Sequence, residues 1–476
     1  MKKAMKLVLA AIGLALCVMT YAEAANSITY TVGGLQVTLT DLGVLPTGTS
    51  SSALAINNRG EIAGSANVAG ALNWESRLPI WDANTGAVVG MAETSGAAIP
   101  EHRNDNGEMV GTDCVGTCGR MFYGYYWSPA GLIFRLPPLA GTDPFYSSTH
   151  TMANGINNVG QIVGLAKQGA PTFDTYAALW QDKDTLAQSL GSLGRSIYGM
   201  ISSVAYGINN LTHVVGNSTI ASDSAIRAFL WRDGRMIDLG GLSGQVVSEA
   251  YAINNNGLIV GKSNLYPVTW KYDVANSSST PAIQQLPIPA GFFSAQPTSV
   301  NDSADVAGYA GSPSIDAHAI LWRNGQAIDL GVWPGGLYSV ATGINNLGQI
   351  VGEGPVAGDN LVHALMWTVV AVGSGGGGTT NTTPSASLQA TSSTLIRLGR
   401  SVSVQAGFTD PDHGPWSYRL DWGDGNTTAG NTSNAGTISG ISPHVYTRVG
   451  SFKARLTVTD GKGAVGSSNT ITVRVR

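Results

Sequence analysis

Ile156-Asn157-Asn158-Val159-Gly160-Gln161-Ile162-Val163-Gly164 is written again, almost unchanged, as Ile344-Asn345-Asn346-Leu347-Gly348-Gln349-Ile350-Val351-Gly352. Aligned on its first asparagine, the phrase recurs at Asn57, Asn104, Asn157, Asn209, Asn254, Asn301 and Asn345, in steps of 47, 53, 52, 45, 47 and 44 residues. A tryptophan follows each copy about 20 residues later: Trp81, Trp127, Trp180, Trp231, Trp270, Trp322 and Trp367. A period of about 40 to 50 residues marks a propeller or another repeat architecture. Residues that recur in every copy are therefore expected to be structural.

One repeat reads as four strands. Ser248-Glu249-Ala250-Tyr251-Ala252-Ile253 alternates smaller and larger residues, as a half-buried strand does. Asn254-Asn255-Asn256-Gly257 is turn chemistry, since Asn and Gly tolerate positive φ, and Leu258-Ile259-Val260-Gly261 returns. A third strand ends in tryptophan, as in His318-Ala319-Ile320-Leu321-Trp322. After a short polar turn, the fourth is Ala327-Ile328-Asp329-Leu330-Gly331. Four strands per repeat is the blade pattern of a propeller, and no stretch carries a 3.6-residue period.

The last repeat stops after Trp367 without its Asp-Leu-Gly strand. The unpaired copy is Val37-Thr38-Leu39-Thr40-Asp41-Leu42-Gly43, ahead of the first asparagine phrase. The expectation is an all-β, seven-bladed β-propeller over residues 28–372, closed by its N-terminal strand. Closure of that kind leaves no long sheet edge open. Each tryptophan is expected between neighbouring blades. Arg77, Tyr123, Tyr176, Arg227, Tyr266, His318 and His363, each four residues before it, should pack and hydrogen-bond rather than bind metal.

The first 24 residues read as a secretory signal peptide: Lys2, Lys3 and Lys6, an apolar run from Leu7 to Met19, and an Ala22-Glu23-Ala24 cleavage site. No other stretch is long and apolar enough to span a bilayer. Removing these residues, with three Lys and one Glu, takes the formal net charge from −4 to −6. A mildly acidic exported chain has no electrostatic case for nucleic acid or an anionic membrane. Two cysteines remain, Cys114 and Cys118. In an exported protein they read as a local disulfide, the alternative being half of a metal site.

The repeats ending in His318-Ala319-Ile320-Leu321-Trp322 and His363-Ala364-Leu365-Met366-Trp367 resemble the bacterial HAF-type extracellular repeat family over roughly residues 28–370. That resemblance implies export rather than a defined activity. Repeats two and five depart most: repeat two has Asn104-Asp105-Asn106-Gly107 and lacks an Asp-Leu-Gly strand, and repeat five has an Asn-to-Trp gap of 16. A Gly/Ser/Thr linker, residues 373–384, follows. Residues 385–476 resemble a PKD domain, an immunoglobulin-like sandwich. The carrying residues are Leu420-Asp421-Trp422-Gly423-Asp424-Gly425, His444-Val445-Tyr446, Gly450-Ser451-Phe452 and Leu456-Thr457-Val458-Thr459-Asp460. The resemblance implies a spacer or contact module rather than a catalyst. Asp410, Asp412 and Asp460 carry the oxygen ligands calcium prefers; the alternative is that they cap turns. No other cofactor is expected.

No catalytic motif is present: no G-x-S-x-G, H-E-x-x-H or phosphate loop. Asp41, Asp238 and Asp329 share one repeat position and read as turn caps. Acids outside the repeat include Glu75, Glu101, Glu108, Asp143 and Asp174; His102, His150 and His213 read as surface or hydrogen-bonded loop residues. The densest aromatic run, Met121 to Trp127, places Tyr123, Tyr125 and Tyr126 near Phe145 and Tyr146. These rings either stack on sugars or a partner, or fill the space between blades. The expectation is a secreted, non-catalytic binding or scaffold protein for extracellular polysaccharide, cell-envelope components or another exported protein. The alternative is a propeller glycosidase or polysaccharide lyase with a PKD accessory module, which needs a non-repeated carboxylate cluster at one end of the channel.

Overall fold

The computed structural model describes residues 26–476 apart from 69–75, 93, 95–97, 115–121, 140–149, 169–173, 222–224, 275, 277–280, 313–314, 357–360, 372–382, 411–415, 433–435, 439–440 and 462. The signal-peptide reading, Cys118 of the expected disulfide and most of the linker lie outside the described residues, as do Glu75, Asp143, Phe145 and Tyr146. For Cys114 only the strand position is described. Among the described residues every regular element is a strand.

Residues 27–371 form seven antiparallel sheets, numbered here along the chain. Sheet 3 shows the pattern: Thr151–Ile156, Ile162–Lys167, Thr175–Trp180 and Gln188–Ser189, side by side in that order. Sheets 1, 2, 4, 5 and 6 span residues 51–92, 99–135, 203–238, 248–285 and 294–329. Sheet 7 takes three strands from residues 340–371 and two from the N-terminal stretch. Leu35–Asp41 lies against Val362–Ala371, with Leu39 opposite Trp367, and Ser27–Val32 lies outside it. In repeat two, where no Asp-Leu-Gly strand was legible, the short strand Ile133–Arg135 takes the fourth place. The shortened repeat five is a tight hairpin, Asn264 carrying φ +52° between Leu258–Ser263 and Tyr266–Lys271.

Each tryptophan packs on the sheet before its own. Trp180 meets Val110, Tyr126 and Leu136 of sheet 2, Trp270 meets Val215 and Leu230 of sheet 4, and Trp367 meets Leu321 and Leu330 of sheet 6. Trp81 of sheet 1 packs on Val351, Ala364 and Met366 of sheet 7. Trp231 alone is only partly buried.

The phrase does make a turn, with its glycine at positive φ as expected, but the asparagines do something other than supply positive φ. Positive φ falls on the fourth residue of the phrase: Gly60, Gly107, Gly160, Gly257 and Gly348, with Thr212 and Ala304 in the other two. The first asparagine is buried in every copy. Its Oδ1 accepts two N–H groups of its own turn, as Asn57 does from Arg59 and Glu61 at 3.0 and 2.9 Å. Its Nδ2 donates to the carbonyl of the first asparagine in the next copy, at 2.9 to 3.1 Å, from Asn57 through to Asn301. Asn345 then donates back to Asn57 O at 3.1 Å. A second circuit runs beside the first. The N–H of the second residue donates to the Oδ1 of its counterpart in the next copy, and Asn346 N returns to Asn58 Oδ1 at 2.8 Å.

Near the other end of the first strand, Ser51 Oγ donates to Gly43 O at 2.6 Å and accepts Ala364 N at 2.9 Å. Ser203, Ser248 and Ser339 make the same pair of bonds to the preceding sheet. The Asp-Leu-Gly aspartates cap turns as expected: Asp41, Asp238 and Asp329 accept the N–H of Gly43, Gly240 and Gly331 at 2.7 to 2.8 Å. Asp41 and Asp329 also hold His363 and His318 through Nδ1.

Residues 385–475 form a three-stranded sheet, a five-stranded sheet and a two-stranded ribbon. The alternating stretch from Ser401 is split: Ser401–Val402 joins the ribbon and Val404–Thr409 the three-stranded sheet. Trp422 is buried, its Nε1 donating to Thr428 Oγ1 at 3.0 Å.

Candidate functional site

A β-bulge in one strand re-aims a side chain that regular pairing would place against the sheet face. The first strand of every sheet carries one, three residues before the first asparagine. The bulged residues are Leu54, Glu101, Asn154, Tyr206, Tyr251, Thr298 and Thr342, and all seven line one cavity of about 560 Å³. The bulge also explains the last glycine of the phrase. A Cβ on Gly64, Gly164, Gly216 or Gly352 would lie 1.9 Å from a carbonyl oxygen of the first strand, so only glycine lets the backbones close up.

Three bulged residues bond to the neighbouring sheet: Asn154 Nδ2 to Ala205 O at 2.7 Å, and Thr298 and Thr342 Oγ1 to Ala341 and Ala53 O at 2.9 Å. Leu54, Glu101, Tyr206 and Tyr251 break this pattern. The Tyr206 and Tyr251 rings meet edge to face with centroids 5.8 Å apart. Behind them, Glu249 accepts Asn217 Nδ2 at 3.2 Å and pairs with Lys262 Nζ at 3.2 Å. Burial, then the Glu249 charge, pushes both tyrosine hydroxyls up, so they stay protonated as donors.

Glu101 and His102 both line the cavity, where each keeps solvent-exposed surface while the encircling strands crowd it. Burial alone pushes the Glu101 carboxyl up, and no described residue bonds to it. Burial also pushes His102 down, against Asp105 and the Ile156 backbone. His102 is thus an exposed strand residue at the cavity rather than a loop residue. Arg103, next in line, is held by Glu61 at 2.9 Å.

The aromatic residues singled out from sequence stand elsewhere. Tyr125 and Tyr126 are each only 7 % exposed; they pack between sheets, the second of the two roles left open for them. Tyr126 donates to Glu108 at 2.9 Å. One face of Tyr123 is covered by Arg135, 3.4 Å from the ring centroid, and His150 stacks on the ring at 6.5 Å. His213 Nδ1 bonds to the Tyr272 hydroxyl at 2.5 Å, and Asp174 holds Arg195 at 3.1 Å. Of the calcium candidates, Asp460 caps a turn through Ala464 N at 2.8 Å and Asp410 accepts Trp416 Nε1 at 2.7 Å. Asp412 lies outside the described residues. Among the described residues no three His, Cys, Asp or Glu side chains are grouped to hold a metal, and no helix is long and apolar enough to cross a membrane.

No curated protein matches the chain. Among solved structures, a prolyl endopeptidase is 10 % identical, covering 70 % of this chain and 54 % of its own, with a TM-score of 0.39. The chain thus spans about half the length of that enzyme. The β-propeller domain of the Trilobed protease from Pyrococcus furiosus is 9 % identical, covering 74 % of this chain and 97 % of its own, with a TM-score of 0.33. The PKD domain of an M14-like peptidase from Thermoplasmatales archaeon SCGC AB-540-F20 is 22 % identical, covering 20 % of this chain and 97 % of its own, with a TM-score of 0.18. Residues 381–475 match the family model described as the PKD domain.

Proposed function

We propose that residues 27–371 form a closed seven-bladed propeller of HAF-like repeats, exported behind the signal peptide and followed by the PKD module. In this reading it is a binding protein whose ligand enters the central cavity, the target being extracellular polysaccharide or another exported protein. One observation carries the proposal. The recurring polar residues bond sheet to sheet, whereas at the bulges the repeat is broken by Glu101, Tyr206 and Tyr251, which face one concave space. Binding sites are concave, with a few polar groups converging on them. The two asparagine circuits and the Leu35–Asp41 pairing support the closed ring.

The test is retention of the mature chain on insoluble polysaccharides and on cell envelopes of the producing organism, beside Tyr251→Ala and Glu101→Thr variants. Loss of retention in a variant that still melts like the parent supports the cavity as the site. Retention unchanged in both, with both folded, refutes it and moves the search to the PKD module.

A second reading, glycosidase or polysaccharide lyase, draws on Glu101 as an acid in the cavity whose carboxyl is pushed up, the direction in which a general acid is tuned. A glycosidase needs a second carboxylate about 5 to 10 Å away, and Glu249 is tied to Lys262. Assaying every retained polymer for reducing ends or unsaturated products decides between binding and cleavage.

A further inference from the structure

Building on the binding reading, we infer that the cavity selects a glycan bearing free amino groups, with an ammonium at Glu101 and a sugar face on the Tyr206–Tyr251 pair. Charge is the first argument. Three carboxylates line the cavity without a described cation partner: Glu101, Asp105 and Asp302. Asp105 Oδ2 accepts only neutral amides, from Asn58 and Asn158 at 3.0 and 2.7 Å. Asp302 Oδ2 does the same with Asn255 and Asn346 at 3.1 and 3.0 Å. Arg103 compensates only in part: Glu61 holds it and Arg59 alike at 2.9 Å, so that group leaves one positive charge against three carboxylates. Like charges lining a concave wall of low dielectric focus an attractive field for cations.

Shape and chemistry supply the second argument. A neutral ligand covering Glu101 would strip water from a carboxylate and give nothing back, which is costly. An anionic ligand would be repelled. An ammonium is a compact charge with three donors, suited to a single carboxylate. The tyrosine pair offers apolar ring surface suited to the face of a sugar ring, while its hydroxyls are engaged by Glu249 and Asn217. The Tyr251 ring already accepts an ammonium from within the protein, Lys262 Nζ lying 5.7 Å from its centroid.

Calorimetric titration of the full mature chain tests this with three probes: a glucosamine tetramer, an N-acetylglucosamine tetramer and tetralysine. The glucosamine tetramer should bind at least ~10-fold more tightly than the acetylated one, and Glu101→Gln should remove about that factor, as losing a charge-assisted bond does. Asp302→Asn should weaken the same ligand less, and added salt should weaken it further. Asparagine stands at that place in five repeats and threonine at the Glu101 place in two, so Asp302→Asn and Glu101→Thr are compatible with the fold. Equal binding of the two tetramers, or no change in Glu101→Gln, overturns the charge selection and leaves the binding reading intact. Tetralysine binding as tightly as the glucosamine tetramer, with the same Glu101 dependence, overturns the glycan assignment. Binding of neither sugar tetramer by the folded wild-type chain overturns the inference. The binding reading falls separately, on retention that no cavity variant alters.

Discussion

A buried asparagine has two donors and an acceptor to satisfy, and leaving any of them empty costs more than a bond returns. Asn301 meets that demand by accepting Ser303 N and Asp305 N at 3.0 and 2.9 Å while donating to Asn345 O at 3.1 Å and, more weakly, to Asp305 Oδ2 at 3.4 Å. Asn301→Ala should therefore lose about 2 to 4 kcal/mol in urea unfolding, roughly three modest bonds less what water recovers. Gly164→Ala should cost about 1 to 3 kcal/mol or more, because the added methyl meets Met152 O at 1.9 Å and backbone must move. Asp424 makes the pH-dependent case. Burial pushes its carboxyl up, but Asn426 N–H, the His444 ring at 2.8 Å and the Asn426 amide outweigh that and hold it below the ordinary value. A lowered folded pKa gives stability that is present above the unfolded value, about 4, and lost as pH falls through the folded one. Residues 381–475 should melt progressively earlier as pH drops below about 4, and Asp424→Asn should flatten that dependence.

At the scale of the strand, much was legible and some was not. The tryptophan column, the fourth-strand aspartates and the pairing of Leu35–Asp41 with the last repeat followed from periodicity, because burial on one face imposes a pattern on sequence. The asparagines were misread, because the same residue type serves a local turn and a bond to a strand some 50 residues away, and sequence proximity favours the first. The serine column at Ser51, Ser203, Ser248 and Ser339 was missed, although all four stand six residues before the asparagine. The cavity residues were legible only in reverse. Their column, Leu54, Glu101, Asn154, Tyr206, Tyr251, Thr298 and Thr342, is the one that fails to repeat, but a bulge cannot be seen in a sequence. The strand-scale prediction concerns Ser51. Its hydroxyl links Gly43, at the end of the N-terminal strand, to Ala364 near the C-terminal side of the array. Ser51→Ala should cost about 1 to 3 kcal/mol and raise amide exchange in Leu35–Asp41 more than Ser248→Ala does, since the Ser248 bonds join strands that are continuous in sequence.

For the molecule as a whole, the distribution of the cores sets the expected unfolding. Clusters run from each sheet of residues 27–371 to the next, while residues 385–475 hold cores of their own. Calorimetry should resolve two transitions, with Asp424→Asn shifting only one and Asn301→Ala only the other. A single transition moved by both would count against independent units.

The asparagine circuits have a consequence for how such a chain can vary over generations. In an open row, each member leans only on its neighbours, and unequal crossing-over can add or drop one with little penalty. In the closed ring proposed above, the seventh member hands its amide back to the first, through Asn345 to Asn57 O, as voussoirs in an arch lean on a common keystone. Dropping one copy would leave the hand-over to span a gap that no side chain can bridge, and adding one would leave it without room to bond. Copy number should therefore be frozen while the letters within each copy drift, and the drift should gather where a side chain makes no bond to the next sheet, as at Leu54, Glu101, Tyr206 and Tyr251 among the bulges.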